Sequence, residues 1–117
     1  MLKIGLDVGS TTIKCVVINQ NNEIIYTDYK RHYSHIKDNI LKKLKELIDN
    51  KIVTNDCCLA ISGSAGMGIA EGINIQFVQE VYATRIAANT LIPGTDCIIE
   101  LGGEDAKITF LKNDMDQ

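Results

Sequence analysis

The 117-residue chain has no apolar run near the ~18 residues that a membrane-spanning helix needs, which argues against a membrane partner. It shows no signal peptide either, because Lys3 and Asp7 break the first apolar stretch and no small-residue cleavage site follows. A cytoplasmic protein is expected. Strong charge of one sign is also missing. The 12 basic and 15 acidic residues leave a net charge of −3, too mild and of the wrong sign for a nucleic-acid surface. Four cysteines, Cys15, Cys57, Cys58 and Cys97, stand in apolar runs without CxxC spacing. Reduced core thiols are expected of them rather than a metal or cluster site. Two nucleotide signatures are absent as well: there is no GxxxxGK[ST], and no GxGxxG follows the first strand.

What is present is 45% hydrophobic residues, enough for one folded core. Residues 2–8 alternate in polarity as a strand does, 13–18 form a second strand, and "NQNNE" at 19–23 is turn chemistry before a third strand at 24–31. Short turns make these an antiparallel meander. The period then changes. From Ser34, a predicted N-cap, Ile36, Ile40, Leu41, Leu44, Leu47 and Ile48 fall at helical spacing, with Lys42, Lys43 and Lys45 on a solvated face. The helix ends near Asn50. "CCLAIS" at 57–62 is a continuous apolar run, expected of a strand buried on both faces. Gly63-Ser64-Ala65-Gly66-Met67-Gly68 leads into a short helix ending near Gly72, "IQFV" at 75–78 is a short strand, and residues 80–91 are helical up to Pro93-Gly94. Strand, glycine turn and strand follow over 97–111. The order βββαβαβα predicts an α/β fold with a mixed five-stranded sheet, over residues 1–94, with a further hairpin opening a second lobe at 95–117.

The two glycine hairpins overlay. Asp7-Val8-Gly9-Ser10-Thr11-Thr12-Ile13-Lys14 matches Glu100-Leu101-Gly102-Gly103-Glu104-Asp105-Ala106-Lys107, at an offset of 93 residues (102 − 9 and 107 − 14). Such similarity suggests a duplicated unit, of which the second has only begun, so a longer parent protein is expected. A tight turn of this kind can point backbone N–H groups at an anion, and glycine lets phosphate approach the main chain. Ser10, Thr11 and Thr12 add hydroxyl donors. Asp7 suits a hydrated Mg²⁺, which binds through one or two carboxylates and phosphate oxygens. Glu104 or Asp105 would orient an attacking water or add a metal contact.

With both hairpins in view, the chain resembles the N-terminal part of the activator ATPases of 2-hydroxyacyl-CoA dehydratases and benzoyl-CoA reductases. These belong to the acetate kinase/sugar kinase/Hsc70/actin superfamily, so the expected fold is a ribonuclease H-like (actin-like ATPase) half-domain. "IGLDVGSTTIKCVV" is similar to the family's first phosphate motif and "ELGGEDAKI" to its second, with "ISGSAGMG" and "FVQEVYATRIAA" between them. The resemblance implies ATP and Mg²⁺ as cofactors. It places Asp7 on the metal through water, Gly9, Ser10, Thr11, Thr12 and Lys14 on the phosphates from one lobe, and Gly102, Gly103 and Lys107 from the other. It also implies a homodimeric parent with one [4Fe-4S] cluster. A ferredoxin or flavodoxin would supply the electron, and ATP hydrolysis would drive it into a dehydratase or reductase component. Glu104 stands where the shorter activators usually have Gln, and "GGEDAKI" is more similar to the long multidomain relatives. None of the four cysteines matches the family's cluster ligands, and the adenosine motif is missing, so the chain alone is expected to hydrolyse ATP poorly.

Several residues have a plainer reading. Lys14 and Lys107 suit a snorkelling role as well as a phosphate contact, Glu80 suits the first turn of a helix, and His32 and His35 suit a solvated turn. Two other functions fit the same hairpins: a sugar- or acetate-type kinase, and a non-catalytic nucleotide- or partner-binding module.

Overall fold

The computed structural model describes residues 1–53, 56–101 and 106–111. They form two compact units, Met1–Val78 and Gln79–Gln117. The first is built on strands β1 (Leu2–Val8), β2 (Thr12–Ile18), β3 (Ile24–Arg31), β4 (Cys57–Ser62) and β5 (Gln76–Phe77), with helices α1 (Ile36–Asp49) and α2 (Gly66–Gly72). The sheet order is β3-β2-β1-β4-β5. The first three strands are antiparallel, as the short turns predict. Beyond them β4 runs parallel to β1 and β5 parallel to β4, which the intervening helices allow. The expected mixed five-stranded sheet is therefore present.

Alternation along the strands decides which face is covered. Ile4, Leu6 and Val8 of β1, Ile13, Cys15 and Val17 of β2, and Ile61 of β4 form one buried cluster with Ile40 and Leu47 of α1 and Ala70 of α2. Both helices thus lie on one face of the sheet. Burial pushes the Cys15 thiol up to about 11, against the lowering influence of nearby Lys43. It is a protonated, inert core thiol. Cys57, Cys58 and Cys97 are exposed, contrary to the expectation of core thiols. Strand β4 is likewise not buried on both faces: only Ile61 is fully covered, and its first two residues are exposed. An unbroken apolar run reports strand propensity, whereas coverage depends on where the helices fall across the sheet.

Helix α1 departs from the expected stripe in one informative way. Leu41 and Ile48 are exposed, while Lys43 is 6% exposed. The buried line runs Ile40, Lys43, Leu47, so the helix is turned to deliver an ammonium to β3 rather than to set its third lysine in solvent. Lys43 Nζ lies 2.6 Å from Asp28 Oδ2 and 2.9 Å from Glu46 Oε2, and donates to the Tyr26 hydroxyl at 2.8 Å. Burial acts to lower the Lys43 ammonium, but its three hydrogen-bonding partners overcome this and raise it. Burial likewise acts to raise Asp28, and hydrogen bonding to Lys43 outweighs it, so the carboxyl sits lower than usual. Glu46 is lowered by its hydrogen bond to Lys43. A buried charge is tolerable only with such pairing.

The N-terminus of α1 also differs from expectation. His35, not Ser34, occupies the cap position, and no side chain caps it. Ser34 is drawn into a turn in which Tyr33 (φ 49°) and Ser34 (φ 66°) are both left-handed. Two adjacent non-glycine residues there cost roughly 1–2 kcal/mol each.

The second unit holds helix α3 (Glu80–Leu91) and a hairpin of β6 (Cys97–Leu101) with β7 (Ala106–Phe110). Its register repeats that of the first hairpin. In β1–β2, Asp7 faces Lys14 and Val8 faces Ile13; in β6–β7, Glu100 faces Lys107 and Leu101 faces Ala106. All four positions recur at the offset of 93 residues found in the sequence.

Replacing Lys43 by Met should lower the free energy of unfolding at pH 7 by about 2–3 kcal/mol, because the Asp28 carboxylate loses its compensation. The depressed carboxyls of Asp28 and Glu46 contribute stability above their ordinary pKa values of roughly 4, and lose it as pH falls through the lower folded values. Urea unfolding between pH 7 and 2 should therefore show a shallower acid loss in Lys43→Met than in the wild type. Parallel acid limbs would contradict the pairing.

Candidate phosphate-binding hairpin

The tip of the β1–β2 hairpin is closed by the Gly9 N–H, which donates to the Thr12 carbonyl at 2.8 Å. Ser10 and Thr11 are exposed at its apex, and Thr12 is half-buried. A Cβ built on Gly9 would meet nothing nearer than the Thr12 carbonyl oxygen at 3.6 Å, an ordinary contact, and Gly9 is not among the residues with positive φ. Neither local conformation nor packing inside the unit demands glycine at position 9. A main chain left bare there suits a ligand that approaches the backbone.

Asp7 lies at the carboxyl end of β1, with 44% of its side chain exposed. Its partner across β2 is Lys14, whose Nζ is 3.7 Å from Asp7 Oδ2 and 5.7 Å from the centre of the Tyr29 ring. Both side chains keep access to solvent, so this pair is a weak one, and the carboxylate remains available to a hydrated cation. On its other side Asp7 is in parallel register with Ser62, at the carboxyl end of β4. The Ser62 hydroxyl is buried and lacks a hydrogen-bond partner among the described residues, and in parallel register it shares the sheet face of Asp7. Carboxyl ends of adjacent parallel strands are where open α/β sheets bind their ligands.

The glycine turn at residues 63–68, whose role the sequence left open, is docked on this point. The Ala65 N–H donates to the Val8 carbonyl at 3.0 Å, and the Gly66 N–H to the Gly63 carbonyl at 3.1 Å. Gly63 has φ +103°, and a Cβ there would press on the Val8 carbonyl and lie 2.6 Å from Asp7 Oδ1. Gly63 is therefore glycine for two reasons, backbone conformation and close approach to the candidate metal ligand.

Behind the tip stands His32, whose sequence context suits a solvated turn but which the fold buries. It is 2% exposed, and its Nε2 is 2.9 Å from the Gly9 carbonyl oxygen. Among the sequence-derived candidates, Asp7, Gly9, Ser10, Thr11, Thr12 and Lys14 share one hairpin. Lys107 belongs to the second unit, where its Nζ is 2.8 Å from Glu80 Oε2. The helix-start residue Glu80 thus carries an ion pair that the sequence did not suggest. Gly102, Gly103, Glu104 and Asp105 lie outside the described residues. Among the described residues no group of three or more His, Cys, Asp or Glu is placed to hold a metal. Magnesium held by one carboxylate and phosphate oxygens needs no such group.

No family model matches the chain. Among curated proteins it is similar to the (R)-2-hydroxyglutaryl-CoA dehydratase activating ATPase of Acidaminococcus fermentans, 23% identical over 111 residues, covering 94% of this chain and 42% of the relative. It is also 30% identical over 105 residues to an uncharacterised protein of Methanocaldococcus jannaschii, covering 90% of this chain and 41% of that protein. The chain therefore spans about two fifths of the length of these relatives. Among solved structures, component A of the A. fermentans dehydratase superposes with TM-score 0.79 at 23% identity, over 97% of this chain and 44% of that chain. The activator of the 2-hydroxyisocaproyl-CoA dehydratase from Clostridium difficile, solved with bound ADPNP, gives TM-score 0.66 at 23% identity, over 92% of this chain and 40% of that chain. The chain is homologous to the activating ATPase, as its two glycine motifs suggested, and it has the actin-like, ribonuclease H-like α/β fold.

The two glycines at this end of the sheet should respond differently to a methyl group. Gly63→Ala should cost about 2–4 kcal/mol of folding stability, from left-handed strain and the clash with Val8. Gly9→Ala should stay within about 1 kcal/mol of the wild type. Denaturant midpoints of the two variants check this directly, and equal losses would contradict it.

Proposed function

We propose that this chain supplies a phosphate-binding part of an ATPase that couples ATP hydrolysis to electron transfer into a 2-hydroxyacyl-CoA dehydratase or a related CoA-ester reductase. Gly9 carries the reading: a glycine that its own unit does not need, at a hydroxylated tip beside an accessible carboxylate. Homology to an activating ATPase gives the direction, and the bound ADPNP of the C. difficile activator gives the ligand class.

In this reading Asp7 holds Mg²⁺ through water. The tip from Gly9 to Thr12 presents N–H and hydroxyl donors to the phosphates, and Lys14 adds a positive charge within reach of them. The second hairpin, in the same register, contributes Gly102, Gly103 and Lys107, with Glu104 or Asp105 orienting water. ATP supplies the phosphoryl group whose hydrolysis drives the coupled step. The lobe boundary is proposed near residue 94. A longer parent would be a cytoplasmic homodimer that holds the [4Fe-4S] cluster through residues other than Cys15, Cys57, Cys58 and Cys97. It would receive its electron from ferredoxin or flavodoxin and pass it to the dehydratase or reductase component.

Calorimetric titration with MgATP should show weak binding that requires Mg²⁺ and falls at least about tenfold in Asp7→Ala, a loss of ~1.4 kcal/mol or more. Asp7 is half-exposed, so the variant should fold with little change in stability. Binding that is indifferent to both Mg²⁺ and Asp7 would overturn the assignment.

A further inference from the structure

We propose that His32 is a positioning residue for the phosphate-binding hairpin: its imidazole fixes the Gly9–Ser10 peptide so that the Ser10 N–H faces the ligand side. The proposal rests on the function proposed above for that hairpin, and its geometry stands independently.

The imidazole is held at both nitrogens. The Ser34 backbone N–H donates to Nδ1 at 3.0 Å, so Nδ1 must be the bare, accepting nitrogen. The other nitrogen, Nε2, lies 2.9 Å from the Gly9 carbonyl oxygen. A carbonyl only accepts, so Nε2 carries the proton and donates it. One neutral tautomer satisfies both contacts. The main chain of His32 is held as firmly: its N–H donates to the Thr11 carbonyl at 3.0 Å, and its own carbonyl accepts from the His35 N–H at 2.8 Å and from Asn39 Nδ2 at 3.2 Å.

A trans peptide is planar, with its C=O and N–H pointing in opposite directions, and no cis bond is present among the described residues. Pulling the Gly9 oxygen back toward His32 therefore turns the Ser10 N–H outward, away from the imidazole and toward the open side of the tip. The Tyr33–Ser34 turn, with both residues left-handed, is what aims the Ser34 N–H at Nδ1. Backbone strain held in place by surrounding contacts is characteristic of functional sites. Here the strained turn locks a ring, and the ring locks a donor.

The test uses the full chain, with His32→Leu to remove both ring contacts and His32→Gln to keep a donor aimed at Gly9. In the wild type, ¹⁵N spectra of the imidazole should show a neutral ring with the proton on Nε2. Order parameters for residues 9–12 should be near the rigid value of roughly 0.85, fall toward 0.6 in His32→Leu, and recover in His32→Gln. MgADP affinity, followed by the Ser10 amide shift, should weaken about tenfold in His32→Leu and return to within about threefold in His32→Gln. A proton on Nδ1 would overturn the proposal, and so would a folded His32→Leu with wild-type order at 9–12. If the wild type binds no MgADP, the ATP-site reading falls, and the tautomer and order parameters still decide the role of His32.

Discussion

The register of β2 against its two neighbours is the constraint on which the candidate site depends. Against β1, the pairing of Asp7 with Lys14 and Val8 with Ile13 leaves residues 9–12 as the turn and brings the carboxylate beside it. Against β3 the register shifts between Val17 and Ile18: Ile18 faces Ile24, whereas Val17 faces Tyr26. One residue, Ile25, is extra on the β3 side, as a bulge requires. That shift puts His32, rather than Arg31, opposite Thr11. It also turns Tyr26 and Asp28 toward α1, where Lys43 meets them. A one-residue slip would exchange the faces of β3 and undo both arrangements.

Much of the fold was legible because its signals are local. Strand alternation at 2–8, the asparagine-rich turn at 19–23 and the change to helical period after Ser34 each reside in a few adjacent residues. So do the stops at Asn50 and Pro93-Gly94. Together they give the element order and the antiparallel meander. The candidate residues Asp7 to Lys14 could be read for the same reason: one hairpin holds them all.

The rest was not legible because it depends on register and rotation. His32 looks like a turn residue until the bulge at Ile25 is known, since counting back from the 19–23 turn gives a register one residue out. Lys43 lies off the apolar stripe by composition, yet the rotation of α1 buries it to meet Asp28, a partner on another element. The cysteines of β4 and β6 sit in apolar runs that no described helix fully covers. Gly63 was visible as part of a glycine-rich turn, but its contact with Asp7 joins segments that are more than 50 residues apart in sequence.

The site that results is made mostly of main chain. Gly9 leaves the backbone bare, Gly63 lets a second turn close on the carboxylate, and His32 sets the direction of a peptide. Phosphoryl chemistry asks mainly for positioning and charge neutralisation, and under the proposed function this arrangement would supply the positioning before any ligand arrives. Homology to an activating ATPase and the repeat of the hairpin register in β6–β7 both agree with that use. Replacing Mg²⁺ by Mn²⁺ in the nucleotide complex tests it most directly, because paramagnetic broadening of amide signals maps the metal onto the chain. With the metal at the proposed site, MnATP should broaden Asp7 and residues 9–12 first, with Gly63 and Ser64 next. Broadening centred elsewhere, with the β1–β2 tip untouched, would contradict it.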